Sequence, residues 1–337
     1  MEAYETQAAV TLLEWLLDQL VAIGGSDLLL SVGTPPRGRV DGALRTMRAE
    51  PLTDVEVDAC VEALVGEEHR AQLAEHNTAD FAFDWTGRAR FRGNVFRQKG
   101  HWAVALRHLP AVIPAPEQLG VPPAVVALTE KSTGLVIVTG PTGSGKSTTI
   151  ASLIERINQT RACHVITLED PIEYVFTHKH AVVDQREVGT DTPDFHMALR
   201  SVLREDPDVV LVGEMRDLES ISSALTIAET GHLVFATLHT NDTAQAVDRI
   251  IDAFGGDHQN QVRAQLSAAL LAVVHQRLHP SPTGGRVAAF EVLIATDPVR
   301  NLIREAKTNQ IHNVIRSSRA EGMVTLEESE RQVLGLP

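Results

Sequence analysis

The sequence contains very little cysteine, and this scarcity narrows the classes of protein to which it can belong. Only Cys60 and Cys163 occur among the 337 residues. Two cysteines this far apart provide neither a disulfide framework nor the paired cysteines of a structural zinc site. We therefore expect a protein of a reducing, cytosolic compartment.

Aromatic residues, basic residues and long apolar runs are also scarce. Aromatic residues make up 4% of the chain, and 30 Lys and Arg stand against 44 Asp and Glu, a formal net charge of −14. Nucleic-acid binding needs a basic surface, and single-strand binders add stacking aromatics, so we expect no nucleic acid as partner. Apolar runs such as residues 268–274 are far shorter than the roughly 18 residues that predict a membrane-spanning helix. The acidic residues Glu2 and Glu5 are not typical of a secretion signal.

Residues 1–110 predict a small α+β domain. Apolar residues recur every three or four positions in residues 11–21, the spacing of an amphipathic helix, and a second helix is expected over residues 53–65. Apolar and polar residues then alternate over residues 81–106, with two interruptions by turn residues. This pattern predicts three antiparallel strands.

A proline-rich segment, residues 111–124, follows and is predicted to be a linker between domains. Because proline fixes φ and disfavours helix at the residue before it, the segment should be stiff and extended. The prolines of this region are Pro110, Pro114, Pro116, Pro122 and Pro123.

Residues 125–337 alternate short apolar runs with helical patterns, which predicts βαβ units around a mainly parallel sheet. Ligands of such sheets bind at the carboxyl ends of the strands. The predicted strands cover residues 134–139, 164–168, 209–212 and 233–237, and the predicted helices cover residues 147–157, 194–203, 218–228, 244–252 and 297–303.

The strongest functional signal is a phosphate-binding loop of the form GxxxxGK[ST]. It follows an apolar strand and precedes a helical pattern, as this motif requires. Its glycines let the backbone wrap around phosphates, and the helix N-terminus directs free N–H groups at them. Lys146 is expected to reach the β- and γ-phosphates, and Ser147 to ligate Mg²⁺. The predicted ATP-binding residues are Gly140, Pro141, Thr142, Gly143, Ser144, Gly145, Lys146, Ser147 and Thr148.

Two acidic clusters follow predicted strands and should reach the same edge of the sheet as this loop. One contains Glu173, and the other ends in Glu214, which could orient the attacking water or support Mg²⁺ through a bridging water. A solvated loop is the alternative for either cluster taken alone. Spacing does not decide which carboxylate polarises water.

One histidine and a set of arginines complete the candidate site. His239 follows a predicted strand at the position of a γ-phosphate sensor, whereas a structural histidine is the alternative. Arg88, Arg90, Arg92 and Arg107 lie on two strands of the N-terminal domain. They suit either a solvated or basic face, or arginine fingers that stabilise charge on the transferring phosphoryl group.

These motifs, in this order, resemble those of the secretion and pilus traffic ATPases, and most closely their pilus-retraction subgroup. Val299 and Pro298 stand where the subgroup's C-terminal motif has isoleucine and alanine, and Leu29 stands where the family often has histidine. The matching segments are residues 140–148 (Walker A), 167–173 (Asp box), 203–217 (Walker B), 228–239 (His box) and 300–305 (the retraction motif).

The resemblance implies a PAS-like α+β N-terminal domain and a RecA-like P-loop ATPase domain with a mainly parallel sheet. It also implies a homohexamer that binds ATP and Mg²⁺ between its domains, at the cytoplasmic face of the inner membrane. Glu173 corresponds to the family's proposed catalytic glutamate and Glu214 to its Walker B glutamate. Arg92 and Arg107 correspond to arginines that approach the nucleotide phosphates.

The family's activity is ATP hydrolysis coupled to mechanical work. The resemblance implies a motor that retracts type IV pili through an inner-membrane platform protein, with a sister retraction ATPase as a further partner. The absence of the four-cysteine insert of the assembly branch favours retraction over extension. The alternatives are an accessory paralogue with weak turnover that acts as a nucleotide-binding scaffold, and a RecA-like nucleic-acid translocase.

Overall fold

The computed structural model describes residues 2–40, 42–85, 87, 89–109, 112–281 and 284–336. The chain divides into two compact units, Met1–Val112 and Ile113–Pro337. Within the described residues, no helix combines the length and the apolar character needed to span a membrane.

The first unit is a six-stranded antiparallel sheet with three helices, in the strand order β3-β2-β1-β6-β5-β4. The leucine stripe of the first helix is buried with the apolar side chains of the sheet. The elements are α1 (Glu2–Ala22), β1 (Asp27–Ser31), β2 (Arg37–Val40), β3 (Ala43–Thr46), α2 (Asp54–Leu64), α3 (Glu67–His76), β4 (Thr78–Trp85), β5 (Ala89–Gln98) and β6 (His101–Leu109).

The second unit is a seven-stranded sheet with helices on both faces. Its strand order is β13-β12-β7-β11-β10-β8-β9, and neighbouring strands are parallel except for β12 and β13. The elements are α4 (Pro123–Val126), β7 (Gly134–Thr139), α5 (Lys146–Thr160), β8 (His164–Glu169), β9 (Val182–Glu187), α6 (Phe195–Ser201), β10 (Val209–Val212), α7 (Leu218–Glu229), β11 (Leu233–Leu238), α8 (Thr243–Asp252), α9 (Gln259–Ala269), β12 (Leu270–Pro280), β13 (Arg286–Ile294), α10 (Asp297–Arg304), α11 (Ile311–Ser317) and α12 (Leu326–Leu334).

The two faces of this sheet form separate hydrophobic cores because side chains alternate along each strand. Leu135 and Ile137 pack with the helices from α6 to α11, whereas Val136 and Val138 pack with α4 and α5. The fold class expected from the sequence, a small α+β unit followed by an α/β unit with a mainly parallel sheet, is confirmed.

Several apolar side chains of the proline-rich segment pack on the second unit. Val121 is buried in the core that α4 and α5 share with the sheet, and Ile113 and Leu119 pack against it. These apolar side chains attach the segment to the second unit. The stiff, extended linker over residues 111–124 stays a prediction.

Candidate functional site

The phosphate-binding loop leaves the interior strand β7 and enters α5 through two glycines with positive φ. Gly140 has φ +146°, and a Cβ placed there would lie 2.4 Å from the carbonyl oxygen of Gln276. Gly145 has φ +88° and caps the N-terminus of α5. Any side chain at these positions would collide with β12 or strain the backbone, so the local fold requires glycine.

The loop presents both buried and exposed groups. The Ser144 hydroxyl is buried, with no hydrogen-bond partner among the described residues. Pro141, Thr142, Gly143 and Ser147 are exposed along the rim, and Thr148 is half-buried. A tight glycine turn, an unpartnered buried hydroxyl and the free N–H groups of α5 are the features that a phosphate chain needs.

Lys146 is held inside this loop. Its ammonium donates to the carbonyl oxygens of Gly140, at 2.8 Å, and Pro141, at 3.1 Å. Burial lowers the pKa of Lys146 below its ordinary value, while the negative charges of Glu214 and Glu173 oppose this shift. The ammonium therefore lies where it can act on a bound phosphate and where both carboxylates reach it electrostatically.

His239 contacts Lys146 and Glu214 contacts His239, because β11 lies between β7 and β10 in the sheet. Nδ1 of His239, which follows β11, lies 3.4 Å from the Lys146 ammonium, and its Nε2 lies 3.4 Å from a carboxylate oxygen of Glu214. The other Glu214 oxygen pairs with Arg216 at 2.9 Å. Three residues predicted separately from the sequence thus form one connected group.

Glu173 follows β8, the strand beside β10, and lies at the same edge of the sheet as Glu214. β8 runs parallel to β10, with Leu168 opposite Val212, so the residues after both strands emerge together. Glu173 and Ser147 line one small cavity of about 50 Å³. The expectation that the two acidic clusters reach one sheet edge is confirmed.

Glu169 lines this cavity too and was not assigned a role from the sequence. Burial raises its pKa to about 7, although hydrogen bonds from Thr167 and Gln185 stabilise its charged form. The available signal was its place at the end of the apolar strand β8, as the first acidic residue of the Asp box.

The residues that would hold Mg²⁺ are few. The described residues contain no group of three or more His, Cys, Asp or Glu side chains arranged as a metal site. Mg²⁺ in phosphate-transfer sites is commonly held by one or two protein oxygens together with substrate phosphates. The exposed Ser147 hydroxyl in the first turn of α5 fits that arrangement.

Arg92 and Arg107 lie in the first unit, whereas the phosphate-binding loop lies in the second. They are directly opposite each other on β5 and β6, and Arg107 donates to Asp27 at 3.1 Å. The Arg107 side chain remains 68% exposed. Their contact with nucleotide stays a prediction, and Arg88 lies outside the described residues.

The C-terminal motif has a clear packing role. Val299 and Ile303 are fully buried against the core around α9. Arg300 donates to the last carbonyl groups of α9, those of Ser267 and Ala268. The helix α10 is thus attached to the rest of the second unit through these residues.

Comparison with known proteins gives consistent matches. Residues 118–335 match the model of the family described as "Type II/IV secretion system protein". The chain is 46% identical over 304 residues to the type IV pilus retractation ATPase PilT of Pseudomonas aeruginosa, covering 90% of this chain and 88% of that one. It is 39% identical to the type IV pilus ATPase PilU of the same organism, covering 95% and 84%. A crystal structure of the pilus retraction motor PilT with bound ADP matches with TM-score 0.86 and 47% identity, covering 94% of this chain and 95% of that one.

Proposed function

We propose, since the chain belongs to the type II/IV secretion system protein family, that it is an ATP-hydrolysing motor that powers type IV pilus retraction and thereby twitching motility. The observation that carries the proposal is the contact of Lys146 with His239, and of His239 with Glu214, at the mouth of the phosphate-binding loop. The PilT relative and the ADP-bound PilT structure support the same activity.

In this proposal, the loop and Lys146 bind the triphosphate. The backbone N–H groups at the start of α5 and the Lys146 ammonium stabilise negative charge on the β- and γ-phosphates. Desolvation strengthens that interaction because charges attract more strongly in a medium of low dielectric constant. Ser147 would hold Mg²⁺, which neutralises phosphate charge when bound.

Glu173 and Glu214 have different surroundings, which suggests different roles. Both oxygens of Glu214 face a cationic or titratable partner, Arg216 on one side and His239 on the other. Glu173 opens onto the cavity beside Ser147. We assign the orientation of the attacking water to Glu173, and to Glu214 the placement of His239 against the γ-phosphate.

The assembly proposed for the motor is a homohexamer at the cytoplasmic face of the inner membrane. Arg92 and Arg107 would approach the phosphates of a nucleotide bound by an ATPase domain and hold the two domains closed around it. Release of phosphate would remove that attraction and let the domains open. A platform protein in the membrane would receive the motion, and a sister retraction ATPase would share the work. The PilU relative shows that Pseudomonas aeruginosa has more than one type IV pilus ATPase.

That second ATPase also defines the alternative function, an accessory scaffold with weak turnover. The full set of candidate catalytic residues favours the principal motor. The test is to delete the gene, restore it as the wild type or as Glu214→Gln, and observe surface pili by microscopy. Glu321→Gln, which changes an exposed glutamate of the same unit, is the control.

A principal motor predicts excess, non-retracting pili in the deletion strain, and retraction restored by the wild type and Glu321→Gln but not by Glu214→Gln. Purified Glu214→Gln should also lose ATP turnover. Full restoration by Glu214→Gln would instead support the scaffold. Bald cells after deletion would indicate pilus assembly and contradict the proposal.

A further inference from the structure

We propose that Gln185, with Glu187 beside it on β9, is a positioning residue that fixes Glu173 relative to the phosphate-binding loop. The inference rests on the proposed role of Glu173. β9 is the edge strand of the sheet, beside β8, and no sequence motif gave either residue a function.

The segment that carries Glu173 has no helix or strand of its own, so its shape depends on side chains from elsewhere. Before Glu173, the N–H of Ile172 donates to a carboxylate oxygen of Glu187 at 2.9 Å. After it, the Gln185 amide N–H donates to the carbonyl oxygen of Tyr174 at 2.8 Å. β9 therefore holds the backbone on both sides of the proposed catalytic glutamate.

Both the oxygen and the nitrogen of the Gln185 amide form hydrogen bonds. Its oxygen accepts from the N–H of Phe176 at 2.8 Å, and its nitrogen also donates to the Glu169 carboxylate at 3.1 Å. A glutamine suits this position because its terminal amide carries an NH₂ group that donates and an oxygen that accepts. Glutamate would keep the acceptor but lose both donated bonds, and would place a second carboxylate beside Glu169.

The same segment is also joined to the helix of the phosphate-binding loop. The Tyr174 hydroxyl lies 2.8 Å from the Thr148 hydroxyl, one residue beyond Ser147. Hydrogen bonds thus join the segment that carries Glu173 to β9 and to α5. Because a misplacement of about 1 Å can reduce catalysis about 100-fold, loss of the β9 contacts should lower kcat without removing the nucleotide site.

The experiment measures ATP turnover by the purified full-length protein with Mg²⁺ and compares Gln185→Met with the wild type. Methionine preserves side-chain length but removes all the amide hydrogen bonds. Gln265→Met is the matched control, since Gln265 donates one hydrogen bond to Glu229 on an exposed surface. We expect kcat to fall roughly 10- to 100-fold in Gln185→Met, with little change in KM for ATP and no change in the control.

A double-mutant cycle separates positioning from general damage. If Gln185 acts through Glu173, adding Gln185→Met to Glu173→Gln should cause no further loss of turnover. An additive loss, or a rise in KM with unchanged kcat, would overturn the inference. If Glu173→Gln alone keeps full turnover, it is the proposed function that fails.

A second variant keeps the test decisive if Gln185→Met does not fold. Gln185→Glu retains the size of the side chain and the acceptor for Phe176, and should show the same fall in kcat. Wild-type kcat in a folded Gln185→Glu protein would contradict the inference, because the donated bonds to Tyr174 and Glu169 would then be dispensable.

Discussion

The substitution Gly140→Ala tests the geometry of the phosphate-binding loop most severely. A methyl group at this position would lie 2.4 Å from the carbonyl oxygen of Gln276 and 2.7 Å from the Ser144 hydroxyl, at a backbone φ of +146°. Side-chain Cβ atoms essentially never come within 3.0 Å of such atoms. The oxygen belongs to the buried strand β12, so the loop itself must move.

The expected cost has two parts. A strained φ costs roughly 1–3 kcal/mol, and forcing an extra methyl into a packed site costs about 1–3 kcal/mol more. The matched control is Gly143→Ala, where φ is +78° but no heavy atom lies within 4 Å of the added methyl. That control should lose only about 1 kcal/mol, from the left-handed backbone alone.

Thermal unfolding with and without ADP measures both consequences. A ligand stabilises the folded form that binds it, so the transition that shifts with ADP includes unfolding of the phosphate-binding loop. A difference of about 3 kcal/mol between the two variants corresponds to roughly 6–12 °C in Tm for a unit of this size. We also expect Gly140→Ala to lose most of the ADP-dependent shift. Equal Tm values for the two variants, or a full ADP shift in Gly140→Ala, would refute the reasoning.

Three further predictions concern single side chains. Because burial raises the pKa of Glu169 from 4.5 to about 7, ionisation of its carboxyl group weakens the fold as pH rises from 4.5 to 7. Glu169→Gln should therefore increase the free energy of unfolding at pH 8 by up to about 3 kcal/mol, seen as a higher Tm, and should change it little at pH 4.5. Burial raises the pKa of the Cys60 thiol to about 12, so iodoacetamide at pH 8 should alkylate the less buried Cys163 first; faster labelling of Cys60, seen by peptide mass spectrometry, would contradict its burial. Arg300→Ala should cost about 2 kcal/mol in urea unfolding because two carbonyl groups of α9 lose a charged donor, whereas Arg304→Ala on the exposed side of α10 should cost far less.

The buried parallel strands were predictable because their sequences are short, continuous runs of apolar residues. β7 and β10 are buried along their whole length, so they appear as continuous apolar runs with boundaries that the sequence gives directly. The helices α7 and α8 were equally clear, since each has an apolar stripe and begins after an aspartate that caps it.

Elements without such a pattern were missed for physical reasons. β3 is exposed at every position, and α3 has one buried apolar residue, Leu73, so neither carries a periodic apolar signal. β12 begins within the apolar run at residues 268–274, and a short apolar run does not distinguish a strand from a buried helix.

In the candidate site, too, some residues were predictable from the sequence and others were not. The phosphate-binding loop, Glu173, Glu214 and His239 follow recognisable strands, so their meeting at one sheet edge follows from the parallel order. The role of Gln185 could not be predicted, because it depends on β9 pairing with β8 and on the path of an irregular segment. Long-range pairing of this kind leaves no local pattern in the sequence.

ATP turnover of Lys146→Ala tests the central claim most directly, with Lys131→Ala as the control for an exposed lysine of the same unit. The account predicts that Lys146→Ala loses about 100-fold or more in turnover, because a buried cation that stabilises the reacting phosphate has been removed, and that the control keeps its activity. Wild-type turnover by Lys146→Ala would contradict the account.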